Sequence, residues 1–532
     1  MERSVDVAVV GAGFAGMYML HRMRGEGRTV QVFEAGDDVG GTWYWNRYPG
    51  ARCDVESMEY SYSFDEDLQQ EWEWSEKYAP QPEILRYAQH VADRFDLRRD
   101  IRFSTRVVSA MWDADRAEWT VGTDRGDTVR ARWFVLATGC LSSTNKPEFP
   151  GQDLFTGESY HTGDWPHEGV DFTGKRVVVI GTGSSGVQSI PLIAQQAEHL
   201  TVLQRTATYC VPARNSPIDR SKVSRIKSAY REFRERNRQM TSAFGAETPK
   251  GTGSVLQADP AEREAEFERR WATGGFGFLS SYVDFLLRPE ANEIVADFVR
   301  RKIADTVHDP RTARLLQPTN VIGCKRLVLD TGYYETFNRP NVTLVDVGAE
   351  PIERLTEHGI VAGGTEHPAD AIVYATGFDA MTGSILRIGI TGKGGTALAD
   401  AWAAGPATYL GLSVAGFPNM FVITGPGSPS VLTNMIMSIE HHVDWITGCM
   451  RHVDSSGART IEADPAHQEA WVQHVNNVSA GTLYPTCNSW YLGANVPGKP
   501  RVFMPLIGFP QYVERCAAVA EAGYEGFTLA PA

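Results

Sequence analysis

Two copies of one glycine pattern, G-x-G-x-x-G, constrain this chain more than any other feature of its sequence. The glycines of the two copies are Gly11, Gly13 and Gly16, then Gly181, Gly183 and Gly186. Each copy follows a short apolar strand pattern and precedes a helical one, the context in which such glycines bring backbone against a pyrophosphate. The N-terminus of the following helix stabilises the phosphate charge. The chain is therefore predicted to be an α/β protein with two Rossmann-like dinucleotide-binding domains.

The residues that end the second strand of each unit distinguish the two nucleotides. Glu34 lies roughly 20 residues beyond the first loop, where an acidic side chain accepts hydrogen bonds from ribose hydroxyls, as in FAD or NAD. Arg205, followed by Thr206, takes the equivalent place in the second unit, and a guanidinium there suits the 2′-phosphate of NADP. A solvated arginine at a strand end is the alternative interpretation.

A repeated triplet indicates how the two units are connected. Residues 137–139 and 375–377 both read Ala-Thr-Gly after an apolar strand, which suggests paired crossings between domains and a second unit inserted into the first. The predicted segments are 1–140 and 380–532 for the FAD-binding domain, 141–213 and 325–379 for the NADP-binding domain, and 214–324 for a charge-rich helical insertion. Within them, 155–166 is expected to be a linker and about 487–500 a mobile loop, because glycine and proline are dense there.

Charge and cysteine usage exclude several classes of function. A net charge of -14 argues against a nucleic-acid binder, since a phosphate backbone needs a basic partner surface. The 7 cysteines are Cys53, Cys140, Cys210, Cys324, Cys449, Cys487 and Cys516. Their spacing contains no C-x-x-C, so a disulfide framework, a metal site and a redox dithiol are not expected, and each is interpreted as a small buried hydrophobic residue. Without a signal-peptide pattern or a bilayer-spanning apolar run, cytoplasmic residence and no membrane partner are expected.

A glycine- and aromatic-rich stretch between the two units, from Gly41 to Asp54, is typical of a loop that braces a flat ring system. It contains Thr42, Trp43, Tyr44 and Trp45, then Tyr48, Pro49 and Gly50. An aromatic core loop is the alternative.

With FAD and NADP sites on one chain, hydride can pass from the nicotinamide to the flavin, and the reduced flavin then needs an electron acceptor. With no dithiol or iron–sulfur ligands predicted, molecular oxygen or a small molecule remains as that acceptor.

At this point the residues resemble a known family, the type I, FAD- and NADPH-dependent Baeyer–Villiger monooxygenases. The pattern Phe155-x-Gly157-x-x-x-His161-Thr162-x-x-Trp165-Pro166 is similar to that family's fingerprint, and the stretch from Gly41 to Asp54 to its second, longer one. The similarity covers nearly the whole chain and is greatest to the phenylacetone, steroid and cyclohexanone monooxygenase group. The run from Gly425 to Met435 resembles the form with a longer active-site bulge.

The resemblance implies an oxidoreductase that uses NADPH and O2 to insert one oxygen atom next to a ketone carbonyl. The ester or lactone would form through a C4a-peroxyflavin and a tetrahedral adduct, with sulfoxidation as a side activity. A flavin-dependent N- or S-monooxygenase is the alternative enzyme, and a flavin-binding redox sensor is the non-enzymatic one. The partners implied are a small ketone and O2, with a monomer or weak homo-oligomer.

The resemblance also implies roles for individual residues. Arg326 would lie over the flavin and stabilise the anionic adduct, with Asp54 paired to it, although a plain surface ion pair is the alternative. His161 is expected to position the linker rather than to act as an acid or base, and Leu141 to line the pocket with Met435. The cofactor-binding residues implied are Gly11, Gly13, Gly16, Glu34, Gly41, Thr42, Trp43, Tyr44, Trp45, Asp54, Tyr60, Val107, Met435, Thr182, Gly183, Ser184, Ser185, Gly186, Gln188, Arg205, Thr206, Lys325, Arg326 and Trp490.

Overall fold

The computed structural model describes residues 3–531, so residues 1–2 and 532 of the expected terminal segments lie outside the described residues. The strands, in chain order, are β1 Arg3–Val10, β2 Val30–Phe33, β3 Ile101–Arg102, β4 Val107–Asp113, β5 Glu118–Thr123, β6 Thr128–Leu136, β7 Glu158–His161, β8 Arg176–Ile180, β9 His199–Gln204, β10 Cys210–Pro212, β11 Val328–Asp330, β12 Val342–Asp346, β13 Ile352–Leu355, β14 Gly359–Ala362, β15 Thr365–Pro368, β16 Ala371–Tyr374, β17 Gly389–Thr391, β18 Met420–Val422, β19 Thr460–Ala463 and β20 Phe527–Ala530.

The α-helices are α1 Phe14–Gly25, α2 Thr42–Trp45, α3 Glu66–Glu71, α4 Gln81–Arg94, α5 Ser184–Gln196, α6 Arg220–Ser228, α7 Tyr230–Arg238, α8 Pro260–Thr273, α9 Pro289–Thr306, α10 Pro310–Leu316, α11 Tyr333–Thr336, α12 Gly383–Leu386, α13 Leu398–Ala401, α14 Met435–Ser455, α15 Pro465–Ala480 and α16 Phe509–Glu521. None of the helices formed by residues 3–531 combines the length and the apolarity that crossing a membrane requires.

The first sheet has eight strands in the order β17-β4-β5-β6-β1-β2-β3, with β18 also paired to β6. The strand β1 lies in its interior, parallel to both β2 and β6. The apolar run at residues 7–10 of this strand fits this place, because a parallel strand is covered on both faces. The chain returns to this sheet through β17 and β18, long after it has formed the second unit.

The second sheet has five parallel strands in the order β12-β9-β8-β16-β7. The glycine loop after β8 leads into α5 and then β9, which repeats the path from β1 through α1 to β2. The predicted fold class, α/β with two Rossmann-like units and a helical insertion, is confirmed.

The two units share one local packing arrangement that explains the glycine pattern. Gly11 and Gly181 have φ of +102° and +108°, in the region that L side chains avoid. A Cβ added to either would lie 2.6 Å from a carbonyl oxygen, that of Ala137 for the first and Ala375 for the second. Each nucleotide loop therefore closes against the alanine of an Ala-Thr-Gly crossing, so the repeated triplet is a structural partner of the repeated loop.

The helical insertion, α6 to α10, contacts both units. Its aromatic interior includes Phe267 and Phe298, with ring centroids 5.2 Å apart. Two of its side chains reach the first unit: the Tyr230 hydroxyl donates to the Met58 carbonyl at 2.7 Å, and Arg234 Nη1 donates to the Glu59 carbonyl at 2.7 Å. These contacts hold the insertion beside the loop that carries Asp54.

The cysteine interpretation is wrong for two of the seven residues. Cys324 and Cys487 form a disulfide with Cα atoms 6.2 Å apart, within the usual range of about 4.4–6.8 Å. The other five are free and buried, as predicted. The linked pair is separated by 163 residues, so only the tertiary fold brings the two sulfurs together, and spacing in the sequence contained no sign of it.

Candidate active site

An arginine–carboxylate pair lies between the two nucleotide-binding units. Arg326 Nε donates to Asp54 Oδ2 at 2.5 Å, and Arg326 Nη2 donates to Asp54 Oδ1 at 2.8 Å. The side chains are 21% and 27% exposed, and the residues are 272 positions apart. Two parallel N–H···O bonds fix the plane of the guanidinium as well as its position, so this is an oriented pair and not a loose surface contact.

Further contacts fix the guanidinium from other sides. Arg326 lies two residues before β11, and its Nη1 donates to the Val431 carbonyl at 2.7 Å. The Cζ atom lies 5.1 Å from the ring centroid of Phe276, a cation–π distance. Burial alone would disfavour the charge, but the Asp54 carboxylate outweighs it and the pKa of Arg326 is raised. The site therefore holds one permanent, oriented positive charge.

Two buried phenols lie near this charge. Burial raises the pKa of Tyr484 to about 12, against the opposing effect of Arg326. Burial likewise raises the pKa of Tyr491, and the arginine again opposes this shift. Both hydroxyls therefore keep their protons at neutral pH and can act as neutral hydrogen-bonding groups beside the guanidinium.

The first nucleotide loop and the aromatic loop touch each other. A Cβ added at Gly41, where φ is +54°, would lie 2.8 Å from the Gly13 Cα. Glu34 binds this loop directly: its Oε2 accepts the Ala12 N–H at 2.7 Å and its Oε1 the Gly36 N–H at 2.8 Å. Burial raises the pKa of this carboxyl. Each oxygen keeps a further lone pair that can accept a hydrogen bond from a ribose hydroxyl, so the hydrogen-bonding capacity of these residues fits FAD.

The residues of the aromatic loop differ in their burial. Trp43 and Tyr44 are buried in α2, whereas Trp45 is half-buried and Thr42 is exposed. The Trp43 indole Nε1 donates to the Tyr60 hydroxyl at 3.2 Å. Part of the loop is therefore an aromatic core element, as in the alternative interpretation, and the half-buried Trp45 packs against the same core while Thr42 faces outward.

The second nucleotide loop opens onto free space. A Cβ at Gly183 would meet no atom within 4 Å, whereas a Cβ at Gly181 would lie 2.6 Å from a carbonyl oxygen. Around it, Thr162 Oγ1 donates to Ser185 Oγ at 3.2 Å and Thr182 Oγ1 donates to the Thr206 carbonyl at 3.1 Å. The helix α5 begins at Ser184. An open glycine at a helix N-terminus fits a pyrophosphate.

Gln188, also in α5, has a different set of contacts from the one expected. Its Oε1 accepts the Tyr48 hydroxyl at 2.7 Å, and its Nε2 donates to the Arg52 carbonyl at 3.1 Å. Both partners belong to the aromatic loop of the other unit. The amide of Gln188 thus joins the two units, and its expected contact with the nucleotide stays a prediction.

Two cations stand together at the edge of the second unit. Burial, followed by repulsion from Arg205, lowers the pKa of Lys325. Within residues 3–531 neither side chain has an acidic ion-pair partner. Two repelling cations with no internal carboxylate form a site suited to an anion of high charge, which a 2′-phosphate is.

The remaining predicted residues lie in separate places. His161 ends β7, where its Nδ1 accepts the Gly163 N–H at 2.9 Å and its Nε2 lies 3.4 Å from Thr376 Oγ1. Burial lowers the pKa of this imidazole, so a neutral residue at a domain crossing fits the positioning role. Trp165 is buried in the core of the second unit, and Val107 is buried in the first sheet at the start of β4.

The loop predicted to be mobile, at about 487–500, contributes to the apolar side of the site. Leu141, Met435 and Trp490 pack on one apolar cluster that includes Tyr491. At the far end of the loop, Lys499 Nζ donates to Asp379 Oδ1 at 2.5 Å. The structure thus brings together the predicted pocket-wall residues and the loop tryptophan.

Sequence reasoning missed several neighbours of Arg326, among them Phe276, Val431 and Tyr491. Phe276 lies in a short helical turn, 276–280, of an insertion whose sequence showed only charge-rich periodicity. Val431 contributes a backbone carbonyl, which no side-chain pattern reveals. Two of the three had a signal in the sequence: Tyr491 adjoins the predicted Trp490, and Val431 lies within the run from Gly425 to Met435.

Two dinucleotide units with an oriented arginine–carboxylate pair between them define the class of flavin- and nicotinamide-dependent oxygenases. A family model described as flavin-binding monooxygenase-like matches residues 4–232. A Baeyer–Villiger monooxygenase of Pseudooceanicola batsensis is 42% identical over 524 residues, 98% of this chain and 95% of that protein. The phenazine N-monooxygenase PhzNO1 of Lysobacter antibioticus is 42% identical over 529 residues, 98% of this chain and 97% of that protein.

Solved structures agree over the full length. An oxidized steroid monooxygenase bound to NADP has a TM-score of 0.94 at 53% identity, covering 99% of this chain and 100% of that one. A complex of OTEMO with FAD and NADP has a TM-score of 0.95 at 40% identity, covering 100% of both chains. The chain belongs to the Baeyer–Villiger monooxygenase family, and the resemblance inferred from the two fingerprints is confirmed.

Proposed function

We propose that the protein uses NADPH and O2 to convert a ketone into an ester or lactone, with sulfoxidation as a side activity. The observation that carries the proposal is the oriented Arg326–Asp54 pair between two nucleotide loops in a chain of this family. Bound FAD, reduced by NADPH, supplies the oxygen-activating chemistry. The chain's own residues hold both cofactors, orient the substrate and stabilise charge.

The first unit is proposed to hold FAD and the second NADP. Support for FAD comes from the contact of the first glycine loop with the aromatic loop and from the buried Glu34 carboxylate. Support for NADP comes from the open Gly183 and from the cations Arg205 and Lys325, which have no acidic ion-pair partner among the described residues. The full sets of proposed cofactor residues are those implied by the family resemblance.

Arg326 is proposed to stabilise the negative charge that develops on the substrate carbonyl oxygen. A fixed donor aimed at a developing oxyanion contributes on the order of 3 kcal/mol to the rate. Asp54 keeps the guanidinium oriented, and the loop carrying Trp490 covers the site, so water that would screen the charge is excluded. The roles proposed for Arg326, Asp54 and the loop involve no proton transfer from His161.

The substrate is proposed to be a bulky or cyclic ketone. The structure at 53% identity is a steroid monooxygenase, and the Gly425–Met435 run resembles the form with the longer bulge. Nitrogen oxygenation of an aromatic heterocycle is the second candidate, because a phenazine N-monooxygenase is 42% identical over nearly the whole chain.

One competition assay separates these functions. The purified holoenzyme receives NADPH and air with a methyl ketone, a cyclic ketone, a thioether and a phenazine, and all products are identified by mass. Ester or lactone formation coupled to NADPH consumption supports the proposal. Sulfoxide or N-oxide without any ester contradicts it, and anaerobic reactions serve as the control.

Cytoplasmic residence and a monomeric or weakly associated state belong to the same proposal. The NADPH that the site needs is kept inside cells, which supports the location. Light scattering across a concentration series tests the association state, and a stable oligomer at the lowest concentration would contradict it.

A further inference from the structure

The disulfide joins two parts of the site that the reaction uses separately. Cys324 immediately precedes Lys325 and Arg326, and Cys487 lies three residues before Trp490. The bond therefore connects the segment carrying the site's cations to the first residue of the loop that covers it. A covalent bond at this place limits how far the loop can move from the guanidinium.

The loop is also attached by reversible hydrogen bonds to the segments that follow the two Ala-Thr-Gly crossings. Asn495 Nδ2 donates to the Phe378 carbonyl at 2.6 Å, and Asn145 Nδ2 donates to the Asn495 carbonyl at 2.9 Å. Lys499 Nζ donates to Asp379 at 2.5 Å. Such bonds contribute about 0.5–3 kcal/mol each, so thermal motion opens them, whereas it does not open the disulfide.

We propose that Cys324 and Cys487 form a redox modification site that controls opening of this loop. As two thiols they leave the loop free to release NADP+, and as a disulfide they keep it over the nucleotide site. The inference rests on the proposed NADP site. The oxidant of the two thiols is hydrogen peroxide, and the reductant of the disulfide is a dithiol.

The chemistry balances in two steps. The Cys487 thiolate attacks one peroxide oxygen, the O–O bond breaks, and a sulfenic acid and one water result. The Cys324 thiol then attacks the sulfenic sulfur, the S–S bond forms, and a second water leaves. Two thiols thus lose two electrons and two protons to one peroxide. A dithiol reverses this by exchange and becomes a disulfide itself.

Exposure and pairing single out these two cysteines. Cys487 is half-buried and can meet a peroxide, whereas Cys324 is buried beside it and is placed to resolve the sulfenic acid. The five other cysteines are buried and have no disulfide partner in the part of the chain described. In a reducing compartment a single disulfide is typically transient and regulatory, which agrees with the cytoplasmic location proposed above.

The test measures NADP+ release from the holoenzyme. Enzyme loaded with radiolabelled NADP+ is either oxidised with hydrogen peroxide or reduced with dithiothreitol, desalted, and chased with excess unlabelled NADP+. Release from the oxidised enzyme should be slower by about tenfold or more. This is the change in rate expected when the barrier to release rises by the free energy of one charge-assisted hydrogen bond. Non-reducing peptide mapping should find the 324–487 link only in the oxidised sample.

Two variants complete the test. Cys487→Ser should release NADP+ at one rate whether or not peroxide is applied, and Cys449→Ala, which alters an unpaired buried cysteine, should keep the parent's difference. Equal release rates from the oxidised and reduced parent enzyme would overturn the inference. So would a redox effect that persists in Cys487→Ser. If the reduced enzyme binds no NADP+ at equilibrium, the proposed nucleotide site itself fails, which this separate readout distinguishes.

Discussion

Replacing Arg326 by alanine tests the central electrostatic claim. The change removes the two bonds to Asp54 and the bond to the Val431 carbonyl. One donor aimed at a developing oxyanion contributes about 2.7–4 kcal/mol, so kcat for ester formation should fall by about 10²–10³-fold. Flavin reduction by NADPH creates no such oxyanion on a ketone and should continue at close to the parent rate.

The assay measures two rates on the same protein. Anaerobic mixing with NADPH gives the flavin bleaching rate, and product mass in air gives the ester rate. Arg300→Ala is the matched control, because Arg300 is 18% exposed, bonds two carboxylates and lies in α9, within the insertion. That control should lose some thermal stability and little ester formation.

A second substitution separates charge from geometry. Lysine at position 326 keeps the positive charge but cannot make the paired bonds to Asp54, so Arg326→Lys should fall between the parent and Arg326→Ala. An ester rate in Arg326→Ala within about threefold of the parent, a difference of only about 0.6 kcal/mol, would refute the reasoning. A parallel loss of flavin bleaching would instead assign the arginine to cofactor binding.

Three further predictions concern the nucleotide loops and a buried acid. Arg205→Ala should lower kcat/KM for NADPH by about 10–100-fold, the loss of one charge-assisted contact, with NADH kinetics nearly unchanged; equal losses with both would contradict the 2′-phosphate assignment. The Cβ of Gly183→Ala enters open space, so this variant should bind NADP+ more weakly by calorimetry and keep the parent's melting temperature. The Cβ of Gly186→Ala would overlap a carbonyl oxygen, so this variant should have a lower melting temperature. Burial, followed by the charge of a neighbouring acid, raises the pKa of Glu59 from 4.5 to about 7. The folded state therefore favours the protonated acid, so the contribution of Glu59 to the free energy of unfolding is greatest below pH 4.5. That contribution falls by about 3 kcal/mol as the pH rises to about 7, at about 1.36 kcal/mol per unit of pKa. Urea titrations across that window should show the decline in the parent and a flatter profile in Glu59→Gln, which can still accept the Gly245 N–H; identical profiles would contradict it.

The sequence was sufficient for the features that repeat or that local chemistry dictates. The two glycine loops predicted both Rossmann-like units, because a turn of this kind needs glycine where φ is positive, as at Gly11 and Gly181. The triplets at 137–139 and 375–377 suggested crossings between domains, which stays a prediction, and β17 and β18 do pair with strands of the first sheet. The pairing of Arg326 with Asp54 came from the family resemblance, since residues 272 apart carry no local signal.

Features that depend on tertiary packing were not predictable. The cation–π contact of Phe276 and the carbonyl of Val431 come from two distant segments that the fold brings to one guanidinium. The Cys324–Cys487 bond was missed for the same reason, because cysteine spacing reports local frameworks and not contacts between domains. Glu34 was assigned to the ribose, but its oxygens also bind the N–H groups of Ala12 and Gly36.

The bond between Gln188 and Tyr48 has a consequence for how the two cofactors communicate. Gln188 lies one turn into the helix that begins at the second pyrophosphate loop, and Tyr48 lies six residues before the carboxylate that orients Arg326. A rigid helix transmits a displacement at one end to the other. A shift of this helix would therefore act on the loop that carries Asp54 through the Gln188 amide, which contacts both Tyr48 and the Arg52 carbonyl.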